Sequence, residues 1–143
     1  MYMPDITIFV GAWREDSPQH ESLARWLDWA TTGGRRIALS VLVAAGTMRV
    51  LTNRRIFAEP MAPNLVLENL QALVDSGRGV LAYPGPGHFA VFAALCRRTG
   101  AAGNLVPDAQ HAAIAIEHDA TWVSLDADFA RFAGLRWELP VVP

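Results

Sequence analysis

Four aspartates stand at positions where they could share one metal ion. Asp5 follows the first apolar residues of the chain, Asp108 opens a helical pattern, and Asp126 and Asp128 follow an apolar run. An ionised carboxylate at the edge of a hydrophobic core costs desolvation free energy unless a positive charge shares the site. Ligand sets made only of oxygen favour a hard ion such as Mg²⁺ or Mn²⁺. Such an ion activates water and stabilises the leaving oxygen when a phosphodiester is cleaved.

The same aspartates also have an interpretation that involves no chemistry. Asp108 follows Pro107, and an acid in the first turn of a helix is favoured by the helix dipole. Asp126 and Asp128 are suited to cap a short helix in "ADFARF". Spacing alone leaves both interpretations open.

The elements around these residues predict an α/β domain, because short apolar runs alternate with helical patterns. Strands are expected at residues 1–5, 35–40, 79–84, 121–125 and 135–139. Helices are expected to begin at Ser17-Pro18, Val41, Pro63, about His88, and Pro107-Asp108. In an open, mainly parallel sheet, strand ends and helix starts converge on one crevice, which would bring the acids together.

The segment "DITIFVGAW" is ambiguous. Its β-branched residues favour a strand that continues through Val10. Propensity is a weak guide, however, because tertiary packing often overrides it.

Composition excludes several classes of protein. The chain has 143 residues, 52% of them hydrophobic, which suits one packed domain over residues 1–143. All 12 basic residues are arginine, so lysine-dependent chemistry such as a Walker A loop is excluded. The lone Cys96 forms no internal disulfide, and no signal peptide or membrane span is evident. We therefore expect a soluble protein of the cytoplasm.

Two further motifs have a structural interpretation as well as a functional one. "GPGHFA", residues 85–90, matches a dinucleotide fingerprint, and Asp108 lies about twenty residues further on. Pro86 fills the turn, however, and Asp108 opens a helix where the fingerprint requires the end of a second strand, so a simple turn is favoured. His111 shares a helix face with Asp108, and a histidine at the surface or rim is the favoured interpretation. No zinc-ligand spacing is present.

Arginines cluster around the second helical pattern. Arg35, Arg36, Arg54 and Arg55 could hold an RNA backbone near the acids, because guanidinium groups bind phosphate with two parallel hydrogen bonds. The alternative is a solvated face with Arg49 in a structural ion pair. The sequence leaves both open.

Four segments in chain order resemble the PIN-domain ribonuclease toxins of VapBC toxin–antitoxin modules. They are "PDITIFVGAWREDSPQHE", "LSVLVAAGTMRVLTN", "GNLVPDAQHAAIAIEH" and "TWVSLDADFARFAGLRWELP". The resemblance implies a PIN-like three-layer α/β/α fold with a central, mainly parallel sheet. It also implies that Asp5 ends the first strand and that a helix begins at "TIFVGAW", against the propensity argument.

The resemblance also implies a site and an activity. Asp5, Asp108 and Asp126 would be the catalytic metal ligands, with Asp128 and the hydroxyl of Thr7 as auxiliary groups. The cofactor would be Mg²⁺, with Mn²⁺ as a substitute, and the activity would be endoribonuclease cleavage of RNA. The partners would be a VapB-type antitoxin and a second copy of the chain.

One departure from the family pattern bears on activity. The family usually has a glutamate in the second helix, and the register places Val41 there. Valine cannot bind an ion, so we expect a weakened metal site in which waters fill vacated positions. The alternative function is a degenerate PIN domain that binds RNA or antitoxin with weak or no cleavage.

Overall fold

The computed structural model describes residues 1–143. Its strands are β1 (Tyr2–Pro4), β2 (Ile37–Ser40), β3 (Gly79–Ala82), β4 (Thr121–Val123) and β5 (Arg136–Glu138). Its α-helices are α1 (Ile6–Trp13), α2 (His20–Ala30), α3 (Val41–Leu51), α4 (Pro63–Asp75), α5 (His88–Thr99) and α6 (Leu105–Glu117). A 3₁₀-helix covers Ala127–Arg131. None of these helices combines the length and the hydrophobicity that a membrane span requires.

The five strands form one parallel sheet in the order β3-β2-β1-β4-β5. The chain moves from β1 through β2 to β3 on one side, then returns to place β4 and β5 on the other side of β1. The strand order therefore reverses between β1 and β4. Open α/β sheets bind ligands in the crevice outside the carboxyl ends of the strands at such a switch point.

Side chains that alternate along each strand divide between two hydrophobic clusters. Met3 and Trp122 belong to a cluster of 19 buried residues, which includes the buried alanines of α6. Ile37 and Val123 belong to a second cluster of 7 buried residues with α2. Because successive strand residues point to opposite faces, each face of the sheet has its own core. The predicted α/β/α architecture is confirmed.

The strand predicted through Val10 is wrong, and the helix implied by the resemblance is correct. Asp5 caps α1, and its carboxylate accepts a 2.6 Å hydrogen bond from the backbone N–H of Ile6. Ile8 and Phe9 are fully buried, and α1 packs against both α2 and α3. Burial of these side chains outweighs the few tenths of a kcal/mol that β-branched residues cost in a helix.

The predicted start of the second helix is also shifted. Ser17 lies in a turn and its carbonyl accepts from the N–H of His20, where α2 begins. Helix α6 begins at Leu105, slightly before the predicted Pro107, so Asp108 still lies in its first turn. Helix α4 begins at Pro63 and ends at Asp75, as predicted.

Candidate metal centre

The crevice at the switch point is formed where β1 and β4 end side by side. Pro4 and Val123 are partners in the parallel register, and the N–H of Asp5 donates to the carbonyl of Val123 at 2.8 Å. The residues that follow these strands, Asp5 and Ser124, are therefore neighbours at the carboxyl edge of the sheet.

The carboxylate of Asp5 is held at both oxygens. Its residue is 8% exposed. Oδ1 accepts from the N–H of Ile6, while Oδ2 accepts from the hydroxyl of Ser124 at 2.7 Å and from the hydroxyl of Thr7 at 3.3 Å. The buried charge is thus stabilised by three donors, and its orientation is fixed before any ligand binds. The structure places Thr7 beside Asp5, where its predicted auxiliary role requires it.

Ser124 was missed by the sequence reasoning. It is fully buried, and its hydroxyl both donates to Asp5 Oδ2 and accepts from the N–H of Asp126 at 3.0 Å. One hydroxyl therefore connects two of the candidate ligands. The only signal in the sequence is a small polar residue directly after an apolar strand and two positions before Asp126.

Asp126 caps the 3₁₀-helix, as the interpretation without chemistry expected. Its Oδ1 accepts from the N–H of Asp128 at 2.8 Å, and its other oxygen has no hydrogen-bond partner in the protein. Asp128 forms a 3.3 Å ion pair with Arg131. Both aspartates are exposed. Capping leaves Asp126 one free oxygen, so the capping role and a ligand role are compatible.

Asp108 faces the other carboxylates from the first turn of α6. It is half-buried and has no hydrogen bond or ion pair to its side chain. Burial, together with the negative charges of Asp126, Asp5 and Asp128, raises its pKa from 3.8 to about 6. The four acids singled out in the sequence therefore act on one another electrostatically.

The side chains do not yet form a coordination cage. No group of three or more His, Cys, Asp or Glu side chains is arranged to hold a metal ion. Like charges resist closer approach when no cation neutralises them. The donor set nonetheless fits a hard cation, because it contains only oxygen and carries excess negative charge. The metal ligands therefore stay a prediction.

Val41 is the first residue of α3, directly after the helix cap Ser40. It is half-buried at the carboxyl end of β2, the strand that pairs with β1. The position lies at the same edge of the sheet as Asp5, and it offers no oxygen ligand.

The predicted placement of Arg35 and Arg36 near the acids is wrong. Both precede β2 and lie at the amino edge of the sheet, opposite Asp5. The reason is topological. Strands β1 and β2 are parallel, so residues that precede β2 lie a strand length away from residues that follow β1. Arg54 and Arg55 lie in the turn beyond the last residue of α3, at the end of that helix remote from Ser40. Arg49 forms no ion pair.

His111 is less accessible than predicted. Its ring stacks on Trp122 with the ring centroids 5.3 Å apart, and its Nδ1 is buried without a hydrogen-bond partner. Burial lowers the pKa of His111, and the charge of Asp5 opposes that shift. His111 therefore packs against the sheet, close enough to Asp5 to feel its charge.

The segment "GPGHFA" is occupied by a side chain of the protein itself. The carboxylate of Glu117 accepts from the N–H of Gly85 at 3.3 Å and lies 3.0 Å from His88 Nδ1. A dinucleotide would place its pyrophosphate against the glycine amides. A carboxylate fixed there would repel it, so the turn interpretation is supported.

Comparison with known proteins agrees with the fold. The PIN domain family model matches residues 2–135. The chain belongs to the PIN-domain family. It is 35% identical to Ribonuclease VapC25 of Mycobacterium tuberculosis over 142 residues, covering 99% of this chain and 100% of the relative. It is 36% identical to Ribonuclease VapC31 of the same species over 136 residues, covering 95% and 96%. Within the PIN-domain family, the chain therefore falls among the VapC proteins.

Solved structures share the PIN fold. VapBC2 from Rickettsia felis, bound to a DNA fragment from its promoter, superposes with a TM-score of 0.68 at 20% identity, covering 96% of this chain and 97% of that one. VapC20 from Mycobacterium tuberculosis, described as a toxin that cleaves the sarcin-ricin loop, gives a TM-score of 0.66 at 18% identity, covering 95% and 99%.

We predict that Asp108→Asn stabilises the metal-free PIN domain above pH 6. The folded-state pKa of Asp108, about 6, lies above its ordinary 3.8, so ionisation destabilises the folded state as pH rises between these values. Asparagine does not ionise. After allowance for solvent screening of a half-buried carboxyl, the gain should be about 1 kcal/mol. Thermal denaturation in EDTA across pH 3.5–8 measures it.

The control for this experiment is Asp28→Asn, which changes an exposed aspartate on α2. The control should not show a gain that appears between pH 4 and pH 6. A pH-independent difference for Asp108→Asn would contradict the electrostatic account.

We predict that Ser124→Ala destabilises the protein by about 1–3 kcal/mol, because a buried carboxylate loses a donor and the N–H of Asp126 loses its acceptor. Denaturant unfolding measures the loss. Ser22→Ala is the matched control, since the Ser22 hydroxyl makes one exposed bond to the carbonyl of Gln19 and should change stability by less than about 0.5 kcal/mol. Equal effects of the two substitutions would contradict the role assigned to Ser124.

Proposed function

We propose that this PIN domain is a Mg²⁺-dependent endoribonuclease and the toxin of a type II toxin–antitoxin module. The observation that carries the proposal is that Asp5, Asp108 and Asp126 lie near one another at the switch point, where burial and the neighbouring negative charges raise the pKa of Asp108 to about 6. The relatives named as ribonucleases at 35–36% identity over nearly the whole chain support the reaction class.

Asp5, Asp108 and the free oxygen of Asp126 would hold the ion. A bound Mg²⁺ lowers the pKa of a water molecule and offsets the charge that develops on the phosphate. Asp5 is already oriented by Ile6 and Ser124, so this ligand needs no reorganisation. Asp108 holds a proton up to about pH 6, so loading the site below that pH releases this proton and becomes easier as pH rises.

The remaining groups would position the RNA. Thr7 is exposed beside Asp5, to which its hydroxyl donates, so its oxygen would remain free to accept a hydrogen bond from a water molecule at the mouth of the crevice. Asp128 acts through the N–H that it donates to Asp126, which fixes the orientation of that carboxylate. Arg131 offsets the charge of Asp128 and so limits repulsion of the RNA.

We also propose a VapB-type antitoxin and a second copy of the chain as partners. The solved structures that share its fold include VapBC2 from Rickettsia felis and a toxin–antitoxin complex from Klebsiella pneumoniae. Large apolar side chains are available for such contacts, among them Phe89 at 76% exposure and Tyr83 at 56%.

A degenerate PIN domain that binds RNA or antitoxin without efficient cleavage is the second candidate. One observation favours it. Val41 supplies no oxygen ligand at the first position of α3. The same experiment separates the two functions.

The test is cleavage of total RNA by purified, antitoxin-free protein with Mg²⁺. We expect cleavage that EDTA abolishes and that Asp5→Asn reduces by about 100-fold or more, because the best-fixed ligand is lost. Asp28→Asn, the matched change on the outer face of α2, should cleave like the parent.

Identical RNA profiles from the parent and Asp5→Asn, unaffected by EDTA, would contradict the nuclease proposal. RNA binding by the parent without cleavage would favour the degenerate function.

A further inference from the structure

A second cleft lies at the amino edge of the sheet, opposite the acids. It has a volume of about 450 Å³, and none of the eight residues that line it is hydrophobic or acidic. Three of them are arginines, Arg35, Arg36 and Arg78, and the others are threonine and glycine. A concave surface of this composition is suited to an anion.

Two of the arginines are held side by side by the sheet. Arg36 and Arg78 immediately precede Ile37 and Gly79, which are partners in the register of β2 and β3. The N–H of Ile37 donates to the carbonyl of Arg78 at 2.9 Å. Neighbouring strands lie about 4.8 Å apart, so the two guanidinium groups start from adjacent points on one edge.

Neither of these guanidinium groups has a partner in the protein. Arg36 and Arg78 are exposed, donate no side-chain hydrogen bond and take part in none of the five ion pairs. Like charges on neighbouring strands are destabilising. An anion bound between them would remove that repulsion.

The side chain of the third arginine, Arg35, is held in place by contacts within the protein. Arg35 donates to the carbonyls of Trp29 and Thr32 at 3.3 and 3.1 Å, and its guanidinium lies 4.0 Å from the ring centre of Trp29. Beside it, the backbone N–H groups of Gly33 and Gly34 donate to nothing in the protein. These amides are further donors for an oxyanion.

Carboxylates near the cleft do not neutralise it. Glu138 lines an adjoining cleft with Arg35 and Arg36, and Asp28 lines another with Arg78. Neither carboxylate forms an ion pair with any of these arginines.

We propose that this cleft is a phosphate-binding site, in which Arg36 and Arg78 bind the oxyanion and Arg35 and the glycine amides complete its surroundings. The guanidinium fork matches two phosphate oxygens. The phosphate belongs either to an RNA backbone or to a free inorganic anion. The site lies across the sheet from the acids and operates independently of cleavage.

The test measures binding in EDTA at low salt, so that the acidic edge holds no ion and RNA stays intact. Pyrophosphate binding is followed by calorimetry, and a fluorescent single-stranded oligoribonucleotide by anisotropy. Arg36→Gln/Arg78→Gln should weaken binding about tenfold or more, because two charge-assisted contacts are lost. The salt dependence of RNA binding should fall by about 1.4 in log–log slope.

The control is Arg25→Gln/Arg97→Gln, which removes two exposed arginine charges from α2 and α5. It should change either affinity less than twofold. Weakening of both ligands in the first variant shows that the site accepts free phosphate, and weakening of RNA alone identifies the nucleic-acid backbone as the source. Equal losses in the two double variants, or no binding of either ligand by the parent, would overturn the proposal.

Discussion

The hydroxyl of Ser124 is the contact on which the candidate centre depends. It donates to the carboxylate of Asp5, directly after β1, and accepts from the backbone N–H of Asp126, after β4. Ser124 and Asp5 are 119 positions apart in the sequence. Because the hydroxyl is fully buried, water cannot replace its hydrogen bonds freely. Asp5 and Asp126 are therefore held together by the fold itself, and only Asp108 approaches from another element.

The charges of the molecule are separated by the direction of its strands. All five strands are parallel, so their amino ends form one edge of the sheet and their carboxyl ends form the other. The carboxyl edge carries Asp5 and Asp126, and the amino edge carries Arg36 and Arg78. The small net charge of −2 does not reveal this separation of acidic and basic residues. It gives one small domain an edge suited to cations and another suited to anions.

Much of the fold was predictable because its signals are local. Pro63 at the first position of α4, and the apolar runs that became strands, carry their structure within a few residues. Helix α1 was not predictable from propensity, since its β-branched residues are stabilised by α2 and α3, which lie elsewhere in the sequence. Only the resemblance to known PIN domains gave that helix correctly.

The site was predictable only in part, for the same reason. The acids could be found because aspartates after strands and in a first helical turn stand out in an apolar sequence. The bridging role of Ser124 depends on the pairing of β1 with β4, and the misplacement of Arg35 and Arg36 came from treating closeness in sequence to α3 as closeness in space.

The most direct test of the central claim is anomalous diffraction from a crystal of the free protein soaked in Mn²⁺. The account predicts one peak or a close pair of peaks between the carboxylates of Asp5, Asp108 and Asp126, with the Asp108 and Asp126 side chains drawn towards it. The absence of any peak there at full Mn²⁺ loading, with the three carboxylates left apart, would contradict it.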